Sequence, residues 1–228
     1  MSLKIKGWRS IVKWSVWAIL GVLFLVFFIR VATFEGSYYS EKEGSERAVA
    51  EVNNDNDELI EVKPTDDEVK EYVVAADRPR YLSVEKLGVV KARVLPMGVN
   101  SSGELDTPNN IFDVGWYDGS GKPGQGGTMI IDGHNGGPHV HGVFKNLPDL
   151  AKGDIITVQR GDGEIFNYEV VENTSVSLDD SNEYMKTAAR TPVAGKESVT
   201  LISCTGEWSQ SKGTYLSRQF TRAVLVED

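Results

Sequence analysis

Residues 199–204, Val-Thr-Leu-Ile-Ser-Cys, form a short apolar run that ends on the chain's single cysteine. β-Branched and leucine side chains, followed by Thr205-Gly206, read as a buried strand that stops at the edge of a core. Similar runs recur on either side. Tyr81–Val84 and Val89–Leu95 have strand composition, and Thr128–Ile131 reads as another buried strand ending at Asp132-Gly133-His134. Ile155–Gln159 and Ile165–Val171 flank Gly161-Asp162-Gly163, which is a hairpin signal. Arg218–Val226 reads as the last strand, and Asn100–Asn110 as a loop rich in Gly, Ser, Pro and Asn. Short helices are expected at Glu183–Arg190 and at Asp66–Ala76, the latter with Thr65 or Asp66 as N-cap. Many short strands with glycine-rich turns predict one all-β barrel or sandwich of about 150 residues.

Outside that region the chain changes character. Lys4, Lys6, Arg9 and Lys13 precede an uncharged stretch from Trp14 to Ile29, which Arg30 closes. At about 1.5 Å per residue this helix is slightly short of a hydrocarbon core of about 30 Å, and Ile11 and Val12 extend it. Its aromatic and aliphatic side chains surround the whole helix, unlike a one-sided soluble helix. The basic flank keeps the N-terminus in the cytoplasm and sends the rest outside. No clean small-x-small cleavage site follows, so a retained signal-anchor is favoured over a cleaved signal peptide. Glu35–Asp77 is rich in Glu, Asp, Asn and Lys and buries too little apolar surface to order itself, so it reads as a spacer. The expected division is a cytoplasmic N-terminus at 1–13, a transmembrane signal-anchor at 14–30, an acidic extracellular spacer at 31–79 and a catalytic domain at 80–228. The net charge of −9 argues against nucleic acid as a partner, because phosphate binding needs a clustered basic face.

One cysteine forms no internal disulfide, and outside the cell a lone thiol needs burial or a job. Cys204 at a strand end is held by rigid backbone yet opens to a cleft, as a nucleophile requires. The competing reading is an inert cysteine packed as a small apolar residue. His134 sits at another strand end, where an imidazole can protonate a leaving amine and activate an incoming one. His139 and His141 are rival bases, and their i, i+2 spacing raises a metal site that no carboxylate or cysteine pattern completes. Arg218 and Arg222 both lie in the last strand. A guanidinium near a thiolate stabilises a tetrahedral oxyanion. Residues four apart on a strand share a face, so geometry alone leaves these two arginines as competitors.

Thr200-Leu201-Ile202-Ser203-Cys204 resembles the Thr-Leu-x-Thr-Cys motif of the sortases, membrane-anchored cysteine transpeptidases. Serine in place of the motif's second threonine keeps a hydroxyl, and Ser203 is taken as a candidate substrate contact. Ile130-Ile131-Asp132-Gly133-His134 is similar to the family's Gly-His pair after a short apolar strand. Arg218 with Ala223 five residues later resembles the family's arginine, which prefers Arg218 over Arg222. The order His, Cys, Arg is the family's order, and the resemblance covers about Arg80–Asp228. The runs Leu105-Asp106-Thr107-Pro108, Gly115-Trp116-Tyr117, Pro123-Gly124 and Gly126-Gly127 look like class F or the related D and E types. Asn135–Gly142 is longer and more glycine-rich than usual after the histidine, and the spacer lacks the Asp-Pro-aromatic lid motif of many pilin-polymerising members.

The resemblance implies a sortase-like closed β-barrel with short helices in its connections, preceded by the transmembrane helix. It implies a thiol-protease type of hydrolase chemistry turned to transpeptidation without a cofactor. Cys204 is the implied nucleophile, His134 the acid–base and Arg218 the oxyanion stabiliser. The implied partners are secreted proteins with a Leu-Pro-x-Thr-Gly-like (LPXTG-like) sorting signal and an amine from a peptidoglycan precursor or a pilin. The implied location is the cell membrane, single-pass, with the catalytic domain outside. Papain-like hydrolases put cysteine before histidine, and L,D-transpeptidases carry a Ser-x-Gly-Cys motif absent here. A rival of another class is a surface-anchored barrel that binds ligands without catalysis. Thiol reactivity discriminates between the two.

Overall fold

The computed structural model describes residues 59–100 and 103–226. The expected membrane segment at 14–30 and most of the spacer lie outside the described residues. Among the described residues no helix is long and apolar enough to cross a membrane.

Eight strands close into a barrel. They are β1 (Pro79–Val84), β2 (Val89–Met97), β3 (Val114–Tyr117), β4 (Thr128–Gly133), β5 (Ile155–Arg160), β6 (Ile165–Ser177), β7 (Ser198–Ser209) and β8 (Thr214–Leu225). The order around the barrel is β1-β2-β3-β4-β7-β8-β6-β5, and β5 pairs back onto β1. The β2/β3 and β4/β7 pairs are parallel and the rest antiparallel. Closure leaves no open edge, which answers the edge-strand problem of an antiparallel sheet. The short helix α1 (Asp66–Glu71) precedes β1, while α2 (Leu178–Ala188) and two single 3₁₀ turns sit in the connections between strands.

Strand alternation divides the apolar residues into two layers. Val94, Val114, Trp116, Met129, Ile131, Tyr168, Val199 and Leu201 fill the barrel interior. Ile130, Ile202 and Phe220 point outward from β4, β7 and β8 and are covered by Ala188, Tyr184 and Met185 of α2. The Tyr184 and Phe220 rings meet at 4.8 Å between centroids, tilted by 55°. Ser177 caps α2 by accepting from the Asp180 amide.

Several sequence expectations shift. β7 does not stop at Thr205-Gly206 but runs on to Ser209 after a register shift, with Gly206 at φ +81°. Glycine tolerates that conformation, so the pair makes a bulge rather than an end. β8 begins at Thr214, placing Arg218 inside the strand rather than at its start. The helix expected at Glu183–Arg190 lies at Leu178–Ala188, because Ser177 supplies the cap. Residues 59–78, part of the expected spacer, pack on the barrel. Ile60 bridges Asn110, the Tyr72 hydroxyl donates to Val94 O at 2.5 Å, and Asp77 pairs with Lys122. The capping box of Thr65 and Glu68 starts α1, which ends at Glu71 rather than Ala76.

Candidate active site

Three strands present their outward faces side by side. Register pairs Ile130 with Thr200 and Asp132 with Ile202 across β4/β7. It pairs Ile202 with Phe220 and Cys204 with Arg218 across β7/β8. One row of the sheet is therefore Asp132, Ile202 and Phe220. In the next row Cys204 faces Arg218, and His134 follows β4 at the same level. These six residues border one cleft of about 340 Å³, walled also by Leu105, Thr107, Leu178, Ser181 and Met185. The loop before β3 forms one bank and α2 the other.

Cys204 and His134 are both partly exposed to this cleft. Burial pushes the Cys204 thiol above its ordinary range. The Arg218 charge pulls it back down, and the nearby Asp132 carboxylate adds to the rise. Burial pushes His134 below its ordinary range, and a bond to Pro108 opposes that. His134 Nε2 lies 2.8 Å from the Pro108 carbonyl oxygen. Arg218 donates from Nη1 to Tyr215 O at 3.0 Å and Ser217 O at 3.1 Å, and from Nη2 to Thr214 Oγ1 at 3.2 Å. Those three bonds use three of the five N–H groups a guanidinium carries.

Arg222, the sequence's competing arginine, does different work. It is 6% exposed and pairs with Glu172 at 2.6 Å while donating to the carbonyls of Thr187 and Arg190. It ties the end of α2 to β6 and does not border the cleft. The two arginines therefore predict different failures. Arg218→Gln should raise the pH at which Cys204 alkylates, because the charge that lowers the thiol is gone, with little loss of stability. Arg222→Gln should leave that titration in place and cost roughly 1–2 kcal/mol, because the carbonyls of Thr187 and Arg190 lose their donor while the partly exposed Glu172 stays solvated. Iodoacetamide rates against pH and thermal melts of both variants check this.

Ser203, the candidate substrate contact, lies along the same cleft. It is 3% exposed, and its hydroxyl donates to Gly133 O at 2.9 Å. That bond knits β7 to β4 and occupies the hydroxyl hydrogen, leaving the oxygen as an acceptor. His139 is exposed and held by Glu61, whose carboxylate also accepts from the His139 and Val140 amides at 2.8 and 2.9 Å. These bonds hold Glu61 below its usual carboxylate range. Neither His139 nor His141 borders the cleft. Among the described residues no three His, Cys, Asp or Glu side chains converge as a metal site needs.

The sequence reading missed three contributors. Asn135, buried directly after His134, donates from Nδ2 to the Cys204 carbonyl at 2.7 Å and joins the end of β4 to β7. Its position beside the Gly-His pair was the available signal. Asp132 and Thr107 are joined by a hydrogen bond at the cleft floor. Burial pushes the Asp132 carboxyl up to about 7.

No curated protein matches the chain. Solved structures similar to it include a sortase D5 transpeptidase from Clostridium perfringens (22% identity, 82% of this chain and 98% of that one, TM-score 0.47). Sortase C-1 from Actinomyces oris is similar at 22% identity, over 85% of this chain and 99% of that one, with a TM-score of 0.49. Sortase C1 from Streptococcus agalactiae is similar at 24% identity, over 72% and 78%, with a TM-score of 0.48. The family model described as "Sortase domain" matches residues 82–226, from β1 to the end of β8. With well over half of its length matched to that domain, the chain belongs to the sortase family and is a sortase-type cysteine transpeptidase.

Proposed function

We propose that this sortase is held in the cell membrane by residues 14–30, with its barrel outside, and that it acts on LPXTG-like sorting signals. The observation that supports the reading is the meeting of Cys204, His134 and Arg218 at one cleft on adjoining strands.

The Cys204 thiolate attacks the carbonyl carbon of the signal's Thr-Gly bond. The oxyanion that forms is met by Arg218, a charged donor in a partly water-excluded cleft. As the C–N bond breaks, the His134 imidazolium gives its proton to the departing glycine amine. The threonine acyl group remains on Cys204 as a thioester. An amine of a cell-wall peptide or a pilin then attacks that thioester, and His134 takes its proton. The thiolate leaves, and the threonine carbonyl is now in a new amide. Binding the amine better than water is what separates ligation from hydrolysis. The class is F or a related D or E type, on the residues of the 105–127 region.

Trapping tests the covalent step. Intact-mass spectrometry of the full chain mixed with an LPXTG peptide should show an adduct of the peptide up to threonine. Hydroxylamine should discharge it as a threonine hydroxamate. A reactive thiol that never acquires the adduct, with peptides of varied signal sequence, would contradict the thioester.

A further inference from the structure

The segment between β2 and β3 is fastened at its base. Val99 bridges Leu105, and the Asp106 amide donates to Gly98 O at 3.1 Å. It then lays two neighbouring residues against the end of β4. The Thr107 hydroxyl donates to Asp132 Oδ2, and the Pro108 carbonyl meets His134 Nε2. Asp132 and His134 are two apart on one strand end, so they share a face.

A carbonyl oxygen only accepts, so Nε2 must carry hydrogen. In the neutral ring Nδ1 then holds the lone pair, and in the imidazolium Nδ1 holds the mobile proton. The space for this arrangement comes from Gly115, which pairs with Asp132 across β3/β4. A Cβ there would lie 2.5 Å from Asp132 Oδ1, 2.8 Å from Met97 Cγ and 3.0 Å from Pro108 Cδ. Asp132, Pro108 and Met97 thus converge where a side chain is missing.

We propose that Asp132 and Thr107 are positioning residues for His134: their hydrogen bond holds the Pro108 carbonyl on Nε2 and keeps Nδ1 as the nitrogen that moves the proton. Asp132 touches no reacting atom in this role. The latch works with the carboxyl ionised or protonated, because either form keeps an acceptor oxygen for the Thr107 hydroxyl. That suits a buried carboxyl whose titration lies near neutrality. The inference rests on His134 being the acid–base, but its first readout needs no substrate.

A simpler electrostatic role makes the opposite prediction. The Asp132 charge raises the Cys204 thiol, so deleting it favours the thiolate. If that were its whole effect, Asp132→Ala would be faster than the parent. The latch predicts a kcat about tenfold lower with KM within about twofold, a fraction of what acid–base catalysis contributes.

The test uses the full chain in detergent with ¹⁵N-labelled histidine, at a pH where the rings are neutral. The chain has three histidines, so His134→Gln identifies the resonance by its loss. The parent should show the Nε2–H tautomer at His134. Thr107→Val and Asp132→Ala should each yield a mixture of tautomers and the kcat loss, and the double variant should lose no more than either alone. Thr107→Ser, which restores the hydroxyl, should restore the single tautomer. A pure Nε2–H tautomer in both single variants overturns the proposal, whether or not kcat falls. A mixed tautomer with unchanged kcat overturns its bearing on catalysis.

Discussion

Cys204→Ala is expected to leave a folded protein that forms neither acyl adduct nor ligated product. Cys204 is the chain's only thiol, so no neighbour can replace it as nucleophile. Removing one half-buried sulfur costs little packing, on the order of 1 kcal/mol or less. Its backbone contacts survive: the carbonyl still accepts from Asn135, and the residue still pairs with position 218 in β8. Mass spectrometry of the products and a thermal melt separate lost chemistry from lost fold. Residual ligation in this variant would place the nucleophile elsewhere.

His134→Gln is expected to lower kcat/KM by about 10² to 10⁴-fold, the usual worth of a positioned acid–base. The burial of both groups explains how the pair works. Burial lowers His134 and raises Cys204, so the neutral thiol and neutral imidazole are the majority forms. The reactive thiolate–imidazolium form is a minority. As pH rises through His134's lowered range the imidazolium is lost, and below Cys204's raised range the thiolate is scarce. The pH profile of kcat/KM should be a bell whose limbs belong to the pair rather than to either residue. His134→Gln should abolish the alkaline limb, leaving a residual activity that only rises with pH as the Cys204 thiolate forms, while the thiol still alkylates at alkaline pH. A loss smaller than threefold, with the bell intact, would remove His134 from the mechanism.

The strands that carry the site were legible because their residues are apolar on both faces. Val199 and Leu201 enter the barrel interior while Ile202 lies under α2, so the run reads as buried throughout. β3 was not recognised as a strand, since Val114-Gly115-Trp116-Tyr117 has a glycine in its middle and only four residues. That glycine serves the approach of Asp132, Met97 and Pro108 rather than the strand. Arg218 and Arg222 share a face, so residue spacing could not rank them; burial of Arg222 against Glu172 separates their work. The Pro108 contact to His134 was invisible because a backbone carbonyl has no residue signature. Glu61 lies 78 residues from His139, and nothing local in either stretch announces the pairing.

The central claim is amine ligation through Cys204, and one experiment reads it directly. The full chain is incubated with a quenched Leu-Pro-x-Thr-Gly peptide library and triglycine, and the products are read by mass spectrometry. The account predicts peptides cut after threonine and joined to triglycine, a product lost in Cys204→Ala. A folded protein with an accessible thiol that cuts and ligates no member of the library would contradict it and favour a barrel that binds without catalysis.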